Sequence, residues 1–279
     1  MTHLLRDDPP LAGRVALVTG AGRGLGRAIA VAAARAGADV ALLDIAGPVE
    51  PAALAAASTT ADLDTTADLV AAAGRRALAL LADVRDPAGM VEAVHRTTQV
   101  LGRLDLVAAN AGIASTAPLL DMTPDQWRAV IDVNLTGTFN TLSAVAPALV
   151  AAGSGRIVAT ASIAGRRGMP GIAHYVASKW GIIGLVKTAA LELGPYGITV
   201  NAVAPTLVDT LMIEPADRAA MADGLDDVDE ASLGHALPVG SIGPDDVADA
   251  VVFLLSDRAR YVSGTCLDVS AGASAHYSA

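Results

Sequence analysis

The sequence predicts an α/β fold in which helices cover both faces of a doubly wound parallel sheet. Short apolar runs alternate with longer amphipathic stretches along the chain, and this alternation is typical of repeated strand–helix–strand units. The apolar runs show little alternation of polar and apolar residues, as expected of strands that are buried on both faces. A glycine-rich segment joins the first apolar run to the first amphipathic stretch. These observations indicate one continuous sheet with helical crossovers.

The predicted elements follow one another in regular order. Strands are expected near residues 14–19, 39–44, 76–82, 104–109, 155–161, 198–204 and 265–269, and helices near 24–36, 61–73, 87–101, 124–151, 173–193 and 244–256. Pro87 and Pro244 stand at first helical positions, where the missing N–H costs no hydrogen bond. Thr123 and Gln126 have the spacing of a capping box. We expect a tail over residues 1–12 and one domain over residues 13–279.

Composition and charge exclude several classes of function. Hydrophobic residues make up 53% of the chain but aromatic residues only 3%. The apolar runs are interrupted by glycine or proline and the N-terminus lacks a secretion signal, so we expect a cytoplasmic protein that does not enter a membrane. A net charge of −10 without a basic stripe argues against a nucleic-acid partner. The five histidines show no metal-ligand spacing, and the single cysteine, Cys266, is expected in the core.

The glycine-rich segment TGAGRGLG, residues 19–26, lies between the first predicted strand and the first predicted helix. Gly20 and Gly24 permit a tight turn, and Gly26 permits close packing of the helix. A helix N-terminus attracts the anionic pyrophosphate of a dinucleotide. The segment therefore predicts a dinucleotide site, although a glycine motif alone carries modest weight.

Ser162, Tyr175 and Lys179 form the second chemical signal. Tyr175 and Lys179 are four residues apart in a predicted helix and therefore share a face. A phenol with a pKa of about 10 is a poor acid or base near neutral pH, and a cation beside it favours the phenolate. Such residues are also common on ordinary surface helices. Their combination with the glycine segment is what predicts a proton-transfer site.

These motifs together resemble the short-chain dehydrogenase/reductase family from about Gly13 to Gly272. The resemblance implies a single-domain Rossmann fold and a catalytic tetrad of Asn134, Ser162, Tyr175 and Lys179, in which Asn134 helps to hold a water. It also implies an adenine contact at Asp83 and Val84 and a cofactor segment at Asn110 to Gly112. The complete set expected to bind the cofactor is Gly20, Arg23, Gly24, Leu25, Gly26, Asp44, Ile45, Asp83, Val84, Asn110, Ala111, Gly112, Tyr175, Lys179, Pro205, Thr206, Val208 and Thr210.

The choice of cofactor depends on two opposing residues. Asp44, at the end of the second predicted strand, can accept hydrogen bonds from the ribose hydroxyls of NAD and repels the extra phosphate of NADP. Arg23, directly before Gly24, stands where family members that prefer NADP often have a basic residue. Repulsion between like charges in a partly buried site is hard to offset, whereas an arginine side chain can turn into water. We therefore expect NAD.

Two segments are longer than a crossover requires. Residues 45–60 follow the second strand and are either a surface loop or a flap over the cofactor. Residues 207–241 stand where the family has its substrate lid. Four apolar residues there could line a pocket or could simply pack against neighbouring elements, and they are Met212, Ile213, Met221 and Leu225.

A narrower resemblance rests on LLDI with the insertion after it, GRRALALLADVRD, VIDVNLTG and PTLVDTLMI. These segments resemble the mycofactocin-associated branch of the family, which includes carveol-dehydrogenase-like enzymes. The resemblance implies a tightly held NAD that is reoxidised in place by mycofactocin. It also implies a homotetramer, paired through the helices near 124–151 and 173–193, with a second contact around the last strand and the tail 271–279.

The predicted function is NAD-dependent interconversion of a hydrophobic secondary alcohol and its ketone. One alternative is an ordinary soluble keto-reductase or dehydrogenase of secondary metabolism with exchangeable NAD(P)(H). Another is a non-catalytic dinucleotide-binding scaffold, because a fold does not fix a function. The intact set of four catalytic-type residues argues against the scaffold.

Overall fold

Seven parallel strands form the centre of the fold in the computed structural model, which describes residues 9–51, 57–210 and 234–276. The strands are β1 (Val15–Thr19), β2 (Asp39–Asp44), β3 (Ala77–Leu81), β4 (Leu106–Ala109), β5 (Gly155–Thr160), β6 (Ile198–Pro205) and β7 (Cys266–Val269). Their order in the sheet is β3-β2-β1-β4-β5-β6-β7. The chain reverses its direction of winding between β1 and β4, so the predicted doubly wound fold is confirmed.

Helices cover both faces of this sheet. They are α1 (Gly24–Arg35), α2 (Thr60–Ala72), α3 (Pro87–Leu101), α4 (Pro124–Ile131), α5 (Gly137–Ala152), α6 (Ala173–Leu193) and α7 (Pro244–Leu255). The predicted capping box is present, because the Thr123 hydroxyl accepts from the Gln126 N–H and the Gln126 side chain accepts from the Thr123 N–H. Pro87 and Pro244 occupy the first turns of α3 and α7, as predicted.

The core consists of two layers, one on each face of the sheet. Val15 and Leu17 of β1 belong to the layer that also contains residues of α3, α5 and α6. Ala16 and Val18 belong to the layer with α1, α2 and α7. All five residues of β1 are buried. Burial on both faces explains why the central strands read as continuous apolar runs.

The two edge strands depart from this expectation. β3 is only partly covered, and 63% of Leu81 is exposed. In β7, Cys266 is half-buried against the core rather than enclosed by it. Burial raises the pKa of this thiol to about 11. An edge strand has a neighbour on one side only, so an apolar run in the sequence does not by itself reveal which strands lie in the centre.

The predicted helix over residues 124–151 is interrupted. Residues Asp132–Thr136 form a π-helical turn between α4 and α5. Within the described part of the chain, Pro124–Ala152 is long and apolar enough to cross a membrane by length and composition alone. Val133, Val145 and Leu149 from this stretch are buried in the sheet's core layer, so packing against the sheet accounts for part of its apolar character.

Hydrogen bonds connect three strand ends at the point where the winding reverses. The Thr19 hydroxyl accepts the backbone N–H groups of Asn110 and Ala111 at 2.9 and 3.0 Å. The Asn110 amide donates to the Thr19 carbonyl, and its oxygen accepts from the Thr160 hydroxyl. The ends of β1, β4 and β5 are therefore held together by side chains as well as by the sheet. We call these three residues, Thr19, Asn110 and Thr160, the switch-point cluster.

Replacing Thr19 by valine should lower the free energy of unfolding by about 1–3 kcal/mol, because two largely buried N–H groups lose their acceptor while the side chain keeps its shape. The matched control is Thr199→Val. Thr199 is also a buried strand threonine, but its hydroxyl has no partner among the described residues, so the same change there should be neutral or stabilising. Urea unfolding at equal protein concentration measures both. Equal effects at the two sites would contradict the role of Thr19.

Candidate functional site

The glycine segment makes the tight turn that the sequence predicts. Gly20 and Gly24 have φ angles of 68° and 52°, which side chains other than glycine rarely adopt. A Cβ atom on Gly26 would overlap the Gly20 carbonyl. The first helical turn can therefore pack directly on the end of β1, with its free N–H groups at the sheet's carboxyl edge.

Arg27 holds this turn in place. Its guanidinium donates to the carbonyls of Gly22 and Asp62 and to the hydroxyl of Thr66. The turn is thus tied to α2 as well as to α1. The described N-terminus of α1 has no side-chain cap from Arg23 and no acidic residue in its first turn. Such a helix start suits an anionic group.

Asp44 lies at the carboxyl end of β2, beside the glycine turn. Its carboxylate accepts the N–H groups of Gly22 and Ala46 at 2.8 and 2.9 Å, and the side chain is 6% exposed. Three donors, with the Ser58 hydroxyl at 2.5 Å, fix the orientation of the carboxylate. A carboxylate has about four acceptor positions, so it can still accept from a ligand hydroxyl.

Ser58 is a site residue that the sequence reasoning missed. It lies in the long segment after β2, of which the structure describes residues 45–51 and 57–60. The Ser58 side chain also packs beside Gly22, where an added Cβ would approach it to 3.2 Å. The segment therefore returns to the glycine turn and to Asp44. A serine among alanines and threonines carries no signal that could have revealed this contact.

The segment after β4 lies beside the glycine turn. An added Cβ on Gly20 would lie 2.9 Å from the Ala111 Cα. Asn134 holds the next part of this segment, because its amide oxygen accepts the Ile113 N–H at 2.8 Å and its amide nitrogen donates to the Ile113 carbonyl at 3.0 Å. The amide nitrogen is also 3.2 Å from the Ser178 hydroxyl. The Asn134 side chain therefore fixes the backbone of Ile113. Its role in holding a water stays a prediction.

Ser162, Tyr175 and Lys179 come together beyond the end of β5. Ser162 begins the short turn Ile163–Gly165, and α6 carries Tyr175 and Lys179. The Lys179 ammonium lies 5.3 Å from the centre of the Tyr175 ring and donates to the Thr160 carbonyl at 2.8 Å. Asn134 reaches the same helix through Ser178. The structure thus brings the four predicted catalytic residues to one edge of the sheet.

The pKa values of this group differ from the simple sequence expectation. Burial raises the pKa of Tyr175, and a hydrogen bond with Ser162 opposes that rise only in part. We expected the Lys179 cation to lower the pKa of Tyr175, whereas burial raises it. Burial also lowers the pKa of Lys179 to about 8. Lys179 therefore remains mostly protonated near neutral pH.

The predicted residues after β6 lie on the opposite side of the glycine turn. Thr210 is a neighbour of Gly24, where an added Cβ would lie 3.6 Å from the Thr210 Cβ. Val208 pairs with Ile242. The Thr206 hydroxyl lies 2.7 Å from Nε2 of His235, which sequence reasoning did not select. Nδ1 of His235 lies 2.7 Å from the Val239 carbonyl and can only donate to it, so in a neutral ring Nε2 accepts from the Thr206 hydroxyl.

The remaining predicted cofactor residues lie along the same edge. Asp83 follows β3, and its carboxylate is paired with Arg85 at 2.6 Å, which lowers the pKa of Asp83 despite the opposing effect of burial. Val84 is buried. Leu25 and Ile45 are partly buried, as are Ala111 and Gly112, while Pro205 is enclosed. Met212, Ile213, Met221 and Leu225 lie outside the described residues.

This constellation fits a dinucleotide. The free start of α1 offers donors to phosphate, Asp44 offers acceptors to ribose hydroxyls, and the proton-transfer group lies at the far side of the switch-point cluster. The described residues contain no group of three or more His, Cys, Asp or Glu side chains that could hold a metal ion. The arrangement places a phenol beside a cation, close to a glycine turn that suits a nucleotide.

Comparisons with known proteins agree with this geometry. An uncharacterized NAD-dependent oxidoreductase of Mycobacterium tuberculosis is 43% identical over 265 residues, which cover 94% of this chain and 96% of that protein. The (-)-trans-carveol dehydrogenase of Rhodococcus erythropolis is 42% identical over 269 residues, covering 93% and 97%. The crystal structure of carveol dehydrogenase from Mycobacterium avium in complex with NAD superposes with a TM-score of 0.90 at 42% identity, covering 95% of this chain and 99% of that chain.

The match to a protein family spans nearly the whole chain. Residues 20–274 match the family described as Enoyl-(Acyl carrier protein) reductase. This range includes the glycine turn, Asp44 and all four residues of the predicted tetrad. With the sheet order and the relatives above, it establishes that the chain belongs to the short-chain dehydrogenase/reductase family.

Proposed function

We propose that this protein oxidises a hydrophobic secondary alcohol to its ketone in the cytoplasm, with a tightly held NAD that mycofactocin reoxidises in place. The chain is an NAD-dependent oxidoreductase of its family. The observation that carries the proposal is the cluster of Ser162, Tyr175 and Lys179 at the same sheet edge as a glycine turn held by Asp44. The carveol dehydrogenases among the relatives support a cyclic alcohol as substrate.

Tyr175 removes the proton of the substrate hydroxyl, and Ser162 donates a hydrogen bond to the same oxygen. The Lys179 cation, 5.3 Å from the ring centre, stabilises the phenolate that burial alone disfavours. NAD supplies the redox chemistry when it is bound. Asn134 keeps the segment after β4 in register through its bonds to Ile113, so substrate and nucleotide can be held in a fixed relative orientation.

Retention of NAD is the part of the proposal that involves the long segment after β2. Ser58 anchors the end of this segment to Asp44, at the position where the adenosine ribose would bind. A segment that covers the ribose slows release, and affinity differences among related complexes lie mostly in the dissociation rate. Reoxidation in place then requires a separate electron carrier, for which the resemblance of the sequence to the mycofactocin-associated branch is the support.

The purified protein should contain NAD or NADH, because release is slow. Mixed with carveol, it should complete one turnover without added NAD and continue only with an artificial or mycofactocin-type acceptor. Mass analysis after denaturation measures the nucleotide content, and the absorbance of the bound nucleotide measures the single turnover.

Replacement of residues 47–57 by a short turn that keeps Asp44 and Ser58 should yield an enzyme that exchanges free NAD. Purification free of nucleotide, with ready cycling on added NAD or NADPH, would favour the ordinary reductase instead.

Tyr175→Phe removes only the phenol hydroxyl. NAD content should persist while turnover of carveol falls by about 100- to 10,000-fold, the usual contribution of a positioned proton-transfer group. The control is Tyr196→Phe, since Tyr196 lies in the turn after α6 and is 49% exposed. Activity of Tyr175→Phe within a few-fold of the parent would remove the tyrosine from its assigned role.

Asp44→Ala should raise the affinity for NADP and lower that for NAD. Juxtaposed like charges cost several kcal/mol, so we expect the NADP:NAD preference to rise by at least about ten-fold. Asp44→Asn separates charge from shape, because the amide oxygen can still accept the Gly22 N–H. Ser58→Ala keeps the charge and should leave the preference unchanged while it speeds NAD release. Calorimetric titration of nucleotide-free protein measures the affinity of each variant for NAD and for NADP. A parent that prefers NADP would show that Arg23, rather than Asp44, decides the choice of cofactor.

The chain should assemble as a homotetramer. Phe139 on α5 and Trp180 on α6 are each 53% exposed, and they lie on the two helices through which the family resemblance implies pairing. Trp180→Glu should reduce the mass measured by light scattering. Leu120→Glu, at a side chain that is 98% exposed on the segment before α4, should leave it unchanged. A parent mass equal to the single chain of 27.9 kDa would contradict the assembly.

A further inference from the structure

The start of α6, two residues before the catalytic tyrosine, lacks the usual kind of cap. The first N–H groups of a helix have no acceptor within the helix. At α2, α3 and α4 the preceding Thr59, Asp86 and Thr123 supply one from a side chain. At α6 the preceding residue is Ile172, which has no such acceptor. Some other group has to satisfy the backbone that carries Tyr175.

That group is the His174 imidazole. Its Nδ1 lies 2.8 Å from the backbone nitrogen of Tyr175 and can only accept from that N–H. In a neutral ring the proton is then on Nε2, which lies 2.7 Å from the Ser115 hydroxyl. With Nδ1 accepting from the Tyr175 N–H, Nε2–H donates to Ser115. His174 is fully buried and Ser115 is 6% exposed. Burial lowers the pKa of His174, and a hydrogen bond with the Ile172 backbone opposes this effect only in part, so the neutral ring is favoured.

Ser115 belongs to the segment that follows β4, and this segment and the tyrosine share a packing neighbour. Ile113 and Tyr175 both pack against the buried pair Ala129 and Val130. The Asn134 amide holds both the N–H and the carbonyl of Ile113. The far end of the segment after β4 is attached to the loop before α6, because the Ala117 N–H donates to the Gly171 carbonyl at 2.8 Å. This segment is therefore a fixed reference against which the start of α6 can be placed.

We propose that His174 is a positioning residue for Tyr175: its imidazole clamps the tyrosine backbone to Ser115 and so sets where the phenol lies relative to Ser162. The inference rests on the proposed catalytic role of Tyr175. His174 does not touch the reacting atoms and acts through the backbone of its neighbour. A small displacement of a catalytic group costs rate out of proportion to its cost in stability.

The test compares His174→Ala, His174→Asn and Ser115→Ala with the parent, as purified with its bound nucleotide. The probe is carveol, and the readout is the single-turnover rate of NADH formation against carveol concentration. His174→Ala should lower the saturating rate by about ten-fold or more, since misplacement of about 1 Å can cost about 100-fold. The half-saturating carveol concentration and the nucleotide content should stay within about two-fold, because the clamp positions the phenol rather than the ligands.

The two milder variants separate the clamp from simple capping. The oxygen of an asparagine side chain can still accept the Tyr175 N–H but cannot reach Ser115. His174→Asn should therefore recover part of the rate lost in His174→Ala and match Ser115→Ala. The double variant His174→Asn/Ser115→Ala should be no slower than either single variant, because both remove the same link. Ser115→Ala loses one hydroxyl only and carries the test if His174→Ala does not fold.

Imidazole nitrogen NMR supplies a readout that does not depend on the substrate. One of the five histidines should remain neutral with its proton on Nε2 at about pH 6, below the ordinary histidine pKa of about 6.5. Its signals should disappear in His174→Asn. The proton on Nδ1, or a cationic ring, would overturn the clamp.

The possible failures are distinguishable. Parental rates in Ser115→Ala and His174→Asn, with only a lower melting temperature, would reduce His174 to a helix cap and overturn the inference. An active Tyr175→Phe, or a parent that does not oxidise carveol, would instead refute the proposed function. In that case the NMR tautomer alone decides whether the clamp exists.

Discussion

The carboxyl edge of the sheet depends on the switch-point cluster of Thr19, Asn110 and Thr160. β1 and β4 are neighbours in the sheet, but the chain leaves them in opposite directions, so their ends separate unless something joins them. The Thr19 hydroxyl does so by accepting two N–H groups from the segment after β4. The absence of side chains at Gly20 and Gly26 then lets that segment and α1 approach the same point. The glycine turn and the segment after β4 are therefore held at the same point, by Thr19.

Hydrogen bonds from polar side chains connect the switch-point cluster to the residues of the proposed proton-transfer site. Asn134 binds both backbone groups of Ile113, and it can do so because a π-helical turn carries it. Such turns are frequent at functional sites, since the extra residue redirects side chains without ending the helix. His174 continues the series by joining Ser115 to Tyr175. The Asn134 and His174 side chains are fully buried, so solvent competes little for their hydrogen bonds.

Burial dominates the electrostatics of the tyrosine and lysine pair. Burial disfavours charge on both groups, raising the pKa of Tyr175 and lowering that of Lys179 to about 8. Each then needs a partner to hold its charge. Lys179 donates to the Thr160 carbonyl, and a hydrogen bond with Ser162 opposes the rise in the pKa of Tyr175. The proposed proton transfer relies on these neighbours as well as on the pair itself.

The sequence by itself determined the order and type of the elements, because strand and helix periodicities are local properties of the chain. It also indicated the glycine turn, Asp44 and the Tyr175–Lys179 pair, because each can be recognised within a single element, and it indicated Ser162 through its combination with that pair. Only the tertiary structure decided that Ser58 binds Asp44, that His174 meets Ser115 and that β3 lies at an edge. His174 and Ser115 are 59 residues apart. Contacts between small polar residues on distant loops leave no periodic signal, since packing of the whole sheet sets the distance between them.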